Sequence, residues 1–116
     1  MQLSDMQIAV VGLGYVGLPL AVEFGRKRSV VGFDINESRI KELENYQDNT
    51  LETTQKELKD AIYLSYSSNL DDIKDCKIYI ITVPTPIDDQ KKPDLSPLKK
   101  ASQSIGSILK KGDIVI

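Results

Sequence analysis

The sequence predicts an α/β fold, in which a doubly wound parallel sheet has the strand order 3-2-1-4-5. Three observations predict it: short β-rich runs alternate with amphipathic stretches, a glycine-rich turn follows the first run, and an aspartate closes the second. Strands that alternate with helices pair in parallel through right-handed crossovers. A chain of 116 residues has the usual length of one domain, so we assign residues 1–116 to a single domain.

The first half of the chain carries clear strand and helix signals. Its predicted elements are a strand at 7–11, a helix at 15–26, a strand at 29–33, a helix from 37 to 44 and a helix at 55–62. Pro19 lies near the start of the first helix, where the loss of a backbone N–H is tolerated. Asn36 is typical of an N-cap, and Thr54 followed by Glu57 three residues later is typical of a capping box.

The second half continues the alternation. Its predicted elements are a short strand at 63–66, a helical turn at 69–74, a strand at 77–83, a loop at 84–97, a helix from 97 to 110 and a strand at 113–116. Ser96 before Pro97 predicts an N-cap followed by proline at the first helical position. The residues expected on the buried face of this helix are Leu98, Ala101, Ile105, Ile108 and Leu109. The chain ends within the fifth strand, so we expect a sheet truncated there.

The glycine-rich turn fits the pattern G-x-G-x-x-G and has the context that phosphate binding requires. Gly12 permits a tight turn after the first strand, Gly14 lets a pyrophosphate approach the backbone, and Gly17 lets the helix pack closely on the strand. The N–H groups of Tyr15 and Val16 are expected to point at the pyrophosphate from the positive end of the helix. The turn therefore predicts a dinucleotide site.

Asp34 supplies the second part of the dinucleotide pattern. It ends the second strand, 20 residues after Gly14. A carboxylate at this place accepts hydrogen bonds from the adenosine ribose and repels a 2′-phosphate, which predicts NAD rather than NADP as the cofactor. Arg39 lies one turn into the next helix, either near the adenine or ribose or as a solvated surface residue.

The loop after the fourth strand is the third candidate part of the site. In the order 3-2-1-4-5 the fourth strand neighbours the first, and their carboxyl ends flank the crevice where dinucleotides bind. The Thr85 hydroxyl, between two prolines in Val83–Pro86, is placed to hydrogen-bond the cofactor or belongs to an ordinary proline turn. Cys76 precedes the same strand at the opposite end, so we interpret it as structural.

Composition excludes several classes of function. The chain has no histidine and one cysteine, which removes Ser-His-Asp and Cys-His catalysis, an internal disulfide and a cysteine-cluster metal site. A net charge of −2 argues against nucleic-acid binding. No apolar run approaches the ~20 residues of a membrane span, and residues 1–6 lack the features of a signal peptide. We therefore expect a cytoplasmic domain with no metal and no membrane partner.

Four runs of sequence resemble the N-terminal NAD-binding domain of the UDP-glucose/GDP-mannose dehydrogenase family. They are IAVVGLGYVGLPLAVEFG, VVGFDIN, ITVPTPID and KKPDLSPL, and the likeness extends over nearly the whole chain. Within the family the chain looks closest to the bacterial UDP-N-acetylhexosamine 6-dehydrogenases of capsule, Vi-type and O-antigen synthesis, on the segments NTLETT and KPDL. The resemblance implies a Rossmann-like fold.

The resemblance also implies an activity and a set of cofactor contacts. Members oxidise the C6 hydroxymethyl of a nucleotide sugar to a carboxylate by two hydride transfers to NAD⁺, and we expect a homo-oligomer when the enzyme is full length. The residues carried over as cofactor contacts are Gly12, Gly14, Tyr15, Val16, Gly17, Asp34, Arg39 and Thr85. The family's catalytic cysteine lies in a downstream GxGGxCxPxD-type motif that this chain lacks, so we expect an excised cofactor domain without catalytic residues.

Two other interpretations remain open from the sequence. One is a stand-alone NAD-sensing regulatory module, and the other is a fragment of a 2-hydroxy or 3-hydroxy acid dehydrogenase. Both share the glycine pattern, but neither accounts for the VPTP loop.

Overall fold

The computed structural model describes residues 7–116, so the expectation about a signal peptide in residues 1–6 lies outside the described residues. The strands are β1 (Ile8–Val11), β2 (Val30–Phe33), β3 (Leu64–Ser67), β4 (Ile78–Ile81) and β5 (Ile114–Val115). The helices are α1 (Gly17–Gly25), α2 (Glu37–Glu44), α3 (Gln55–Asp60) and α4 (Ser96–Gly106), with one 3₁₀ turn at Leu70–Asp72.

The strands form one parallel sheet in the order β3-β2-β1-β4-β5, which confirms the predicted topology. β1 lies at the centre, with Val11 opposite Phe33 of β2 and Ile81 of β4. The chain crosses from one side of β1 to the other between β3 and β4. The carboxyl ends of β1 and β4 therefore flank the point where the strand order reverses, and a crevice opens at such a point.

Both faces of the sheet are covered, as a doubly wound fold requires. Successive residues of β1 alternate between faces, so Ile8 and Val10 join one core while Ala9 and Val11 join the other. The first core also contains side chains from α1, α2 and α3. The second contains Ile105 of α4 together with the fully buried Tyr79.

The predicted helix starts in the first half are confirmed at two caps. The Asn36 side chain accepts the backbone N–H groups of Ser38 and Arg39, which begins α2. The Thr54 hydroxyl accepts the N–H of Glu57 at 3.1 Å, and the Glu57 carboxylate accepts the N–H of Thr54 at 3.0 Å. This is a complete capping box, and it satisfies two backbone donors that the first turn of a helix leaves free.

The structure corrects the prediction for α4 at both ends. Ser96 is the first helical residue rather than the N-cap, and the Asp94 carboxylate accepts its N–H at 2.9 Å. The helix ends at Gly106 rather than near residue 110. Leu98 and Leu109 remain 38% and 44% exposed, since Leu98 lies in the first turn of the helix and Leu109 lies beyond its last residue.

Lys110 follows α4 and packs against the amino end of β4, with its side chain 36% exposed. Its ammonium donates to the Asp113 carboxylate at 2.9 Å and to the carbonyl of Lys74. It also lies 5.8 Å from the ring centroid of Tyr79, within cation–π distance. These contacts connect the turn before β5 to β4, at the end of the sheet opposite the crevice.

Candidate functional site

A cleft of about 420 Å³ opens at the carboxyl ends of the central strands. Its walls come from the glycine-rich turn after β1, the segment after β2, the start of the loop after β4 and one side of α4. The lining residues are Val11, Gly12, Leu13, Gly14, Phe33, Asp34, Ile35, Asn36, Arg39, Val83, Pro84, Pro97, Lys100, Ala101, Ser104 and Ile105. The cleft therefore brings together the glycine turn, Asp34 and Arg39 from the predicted site.

Gly12 and Gly17 give the turn its shape. Gly12 has a φ of +101°, a conformation that side chains disfavour, and its N–H donates to the carbonyl of Phe33 at 2.8 Å. A Cβ on Gly17 would lie 1.8 Å from the carbonyl oxygen of Gly12 and 2.4 Å from the Thr82 hydroxyl. Only glycine lets α1 approach the turn this closely, in the way the pattern predicts.

Gly14 differs from the other two glycines because its open side faces empty space. A Cβ built on Gly14 meets no other atom within 4 Å, so the folded chain itself does not require glycine here. Tyr15 and Val16 follow, both 68% exposed, and α1 begins at Gly17 rather than at Tyr15. No side chain caps this helix, and in its first turn the N–H of Leu18 donates to the carbonyl of Gly14 at 3.2 Å.

The Asp34 carboxylate is held in place by two backbone N–H groups. One oxygen accepts the N–H of Leu13 at 3.0 Å, and the other accepts the N–H of Asn36 at 2.9 Å. Each oxygen of an ionised carboxylate has a second lone pair, so Asp34 can still accept hydrogen bonds from a ligand. The bond to Leu13 also connects the end of β2 to the glycine turn, a structural role that the sequence pattern does not reveal.

Arg39 is 9% exposed, which excludes the solvated surface arginine considered from the sequence. Its Nε donates to the carbonyl of Leu13 at 2.8 Å, and its Nη1 donates to Glu42 at 2.7 Å and Asp48 at 2.9 Å. Nη2 is buried and has no hydrogen-bond partner within the part of the chain that the structure describes. Leu13 is therefore hydrogen-bonded through both of its backbone groups, since its N–H donates to Asp34 and its carbonyl accepts from Arg39.

Asp48 is the centre of the network around Arg39. Its side chain is fully buried, and it accepts hydrogen bonds from the loop that follows it, including the Thr50 hydroxyl at 2.6 Å and the Thr53 N–H at 3.0 Å. Burial alone would raise the pKa of Asp48, but these hydrogen bonds and the one from Arg39 outweigh it and hold that pKa well below its usual range. Asp48 is therefore ionised at neutral pH.

The residues after β4 contribute differently from the prediction. Thr85 is exposed and is not among the residues that line the cleft, whereas Val83 and Pro84 are. Thr82 contacts the glycine turn instead, because its hydroxyl lies 2.8 Å from the carbonyl oxygen of Gly12 and donates to it. Sequence reasoning missed Thr82; its only signal was a hydroxyl at the end of the strongest predicted strand.

Cys76 is not among the residues that line this cleft. Cys76 is fully buried before β4, and burial raises the pKa of its thiol to about 11. Across residues 7–116 no cluster of three or more potential ligands could hold a metal ion. None of the helices in the same range is long and apolar enough to cross a membrane.

Comparison with known proteins gives a consistent result. Residues 6–116 match the model of the UDP-glucose/GDP-mannose dehydrogenase family, NAD binding domain. The chain is 64% identical to UDP-N-acetyl-D-glucosamine 6-dehydrogenase of Pseudomonas aeruginosa and 58% identical to the protein of that name from Salmonella typhi, in both cases over 98% of the chain. The solved structure of UDP-D-ManNAc dehydrogenase from Pyrococcus horikoshii has a TM-score of 0.88 at 34% identity, over 95% of this chain. This chain spans 27% of the length of each of these three relatives.

Proposed function

Because the chain belongs to the UDP-glucose/GDP-mannose dehydrogenase family, we propose that residues 1–116 are the NAD-binding domain of a dehydrogenase that oxidises the C6 hydroxymethyl of a UDP-N-acetylhexosamine to a carboxylate. The observation that carries the proposal is the cleft at the ends of β1 and β4, into which the glycine turn and Asp34 both face. The substrate class rests on the relatives that are 64% and 58% identical, since both are named UDP-N-acetyl-D-glucosamine 6-dehydrogenases.

The glycine turn fits a pyrophosphate. The open side of Gly14 leaves room for phosphate oxygens against the backbone, and the N–H groups of Tyr15 and Val16 lie at the positive end of α1. Gly12 and Gly17 give the turn its shape and stay proposed cofactor contacts. When bound here, NAD⁺ would supply the hydride acceptor for oxidation of the sugar.

Asp34 and Arg39 fit the adenosine end of the cofactor. The free lone pairs of the Asp34 carboxylate can accept the ribose hydroxyls, which favours NAD over NADP because a 2′-phosphate would be repelled. Arg39 stays a proposed contact because it lines the cleft beside Asp34, and its Nη2 is buried and has no hydrogen-bond partner within residues 7–116. Thr85 stays a candidate contact that would need the exposed loop after β4 to move toward the cofactor.

The wider role of the protein follows from the same proposal. We place the chain in a cytoplasmic, homo-oligomeric enzyme of surface-polysaccharide or capsule synthesis, with a nucleotide sugar as its partner and with no nucleic-acid or membrane partner. Catalytic residues would come from outside these 116 residues, since Cys76 is buried away from the cleft. A stand-alone NAD-sensing module is not favoured, because the relatives named above are dehydrogenases.

Calorimetry with the purified chain tests the proposal. We expect NAD⁺ and NADH to bind, NADP⁺ to bind much more weakly, and no NADH to form when NAD⁺ and UDP-N-acetylglucosamine are both present. Equal affinity for NAD⁺ and NADP⁺ would remove Asp34 from its assigned role. Formation of NADH by this chain alone would contradict the assignment of catalysis to other residues.

A further inference from the structure

Arg39 lies in the wall of the cleft beside Asp34, but two of its three guanidinium nitrogens are paired within the chain and the third, Nη2, is buried. Nη1 donates to Glu42 at 2.7 Å and to Asp48 at 2.9 Å, and Nε donates to a backbone carbonyl at 2.8 Å. The side chains of Arg39 and Glu42 are 10% and 14% exposed, and that of Asp48 is fully buried. The guanidinium is therefore fixed by partners within the chain and is not free to turn toward a ligand.

The charged side chains closest to Arg39 are carboxylates, while Lys100 lines the cleft from α4. One guanidinium faces two carboxylates, and Asp34 adds a third negative charge close by. The hydrogen bonds to Asp48 keep that carboxylate ionised, as its lowered pKa indicates. An arginine near the end of the second strand is the residue that accommodates a 2′-phosphate in NADP-binding domains, and it does so through a free fork of N–H groups.

We propose that Glu42 and Asp48 are specificity-determining residues, which reject NADP by keeping the Arg39 guanidinium paired and its charge cancelled. Selectivity for NAD then depends on three carboxylates rather than on Asp34 alone. The inference rests on the proposed function, because that function places the adenosine ribose at Asp34. It extends the function by assigning selectivity to two residues outside the glycine–aspartate pattern.

Glu42→Gln is the most direct variant. The glutamine amide oxygen can still accept from Arg39 and from the N–H of Asn49, which Glu42 also accepts, while the charge is removed. Glu44→Gln is the matched control, because it makes the same charge change two residues away on α2, at an exposed side chain. Asp48→Asn is a second variant that weakens the same pairing from the other carboxylate.

The measurement is the ratio of the dissociation constants for NADP⁺ and NAD⁺, taken by calorimetry in the wild-type and Asp34→Asn backgrounds. Glu42→Gln should tighten NADP⁺ binding severalfold relative to NAD⁺ binding, because it removes one negative charge that repels the doubly charged 2′-phosphate. The gain should shrink as salt is added, and Asp48→Asn should shift the ratio in the same direction. Glu44→Gln should change the ratio by less than about twofold, because its exposed charge is screened.

The outcomes separate this inference from the proposed function. NAD⁺ binding by the wild-type chain together with a ratio that neither Glu42→Gln nor Asp48→Asn changes would overturn the inference alone. An equal shift in the Glu44→Gln control would also overturn it, because net charge would then explain the result. No NAD⁺ binding by the wild-type chain would overturn the proposed function, and the inference with it. Circular dichroism and thermal unfolding of each variant establish that the fold is retained.

Discussion

Replacing Gly14 with alanine should weaken NAD⁺ binding about 30-fold without destabilising the chain. The new methyl group meets no atom within 4 Å, so the folded chain accommodates it. A glycine-to-alanine change at a compatible position stabilises a protein by about 0.4–1 kcal/mol, since it restricts the unfolded chain. In the complex, however, the methyl group would occupy the side from which the pyrophosphate approaches. The loss of one charge-assisted hydrogen bond costs about 2 kcal/mol, or about 30-fold in the dissociation constant.

Calorimetry gives the dissociation constant, and thermal unfolding gives the stability of the same protein. Gly106→Ala is the matched control, because its Cβ also meets no atom within 4 Å but lies on α4, away from the glycine turn. We expect the control to bind NAD⁺ like the wild type. Unchanged NAD⁺ binding by Gly14→Ala would refute the placement of the pyrophosphate, and a drop in its melting temperature would refute the account of the open side.

Three further predictions concern the surroundings of the turn and the opposite end of the sheet. Thr82→Val removes the hydroxyl that donates to the carbonyl of Gly12. Thermal unfolding should show that the free energy of unfolding falls by about 1–2 kcal/mol, and NAD⁺ should bind more weakly. An unchanged melting temperature and an unchanged dissociation constant would contradict the role of Thr82. Asp48 has a lowered pKa in the folded chain, so its contribution to stability is present above the unfolded pKa and is lost as the pH falls through the folded pKa. Urea titrations should therefore show that the free energy of unfolding falls as the pH drops below about 5, and that it falls less in Asp48→Asn than in the wild type. The same dependence on pH in both proteins would contradict this role of Asp48. Cys76, with a pKa of about 11 and no exposure, should react with a thiol reagent only after unfolding, and rapid labelling of the native chain would contradict its burial.

Much of the fold was predictable because its signals are local. The apolar run that forms β1, the cap at Asn36 and the capping box at Thr54 each depend on residues a few positions apart, and all three are confirmed. The strand order followed from the alternation of strands and helices, since right-handed crossovers leave few topologies. The C-terminal end of α4 was predicted less well, because Ile108 and Leu109 continue the apolar periodicity beyond Gly106, where the helix ends.

The site residues that belong to a short sequence pattern were predictable. The residues that reach the site through contacts between distant parts of the sequence were not. Gly12, Gly17 and Asp34 lie where the glycine–aspartate pattern places them. The bond from Thr82 to Gly12 joins residues 70 positions apart, so no local pattern indicates it. The burial of Arg39 depends on Asp48, which lies in a loop without periodicity, and only the folded chain brings the two together.

The central claim is that the dinucleotide binds on the glycine turn with its adenosine end at Asp34. Titration of the ¹⁵N-labelled chain with NAD⁺, followed by the shifts of its backbone amides, tests this most directly. The account predicts that the largest shifts fall on residues 12–17 and on the segment that follows β2 from Asp34 to Arg39. Large shifts confined to residues around Cys76 and Lys110, at the opposite end of the sheet, or no shifts at saturating NAD⁺, would contradict it.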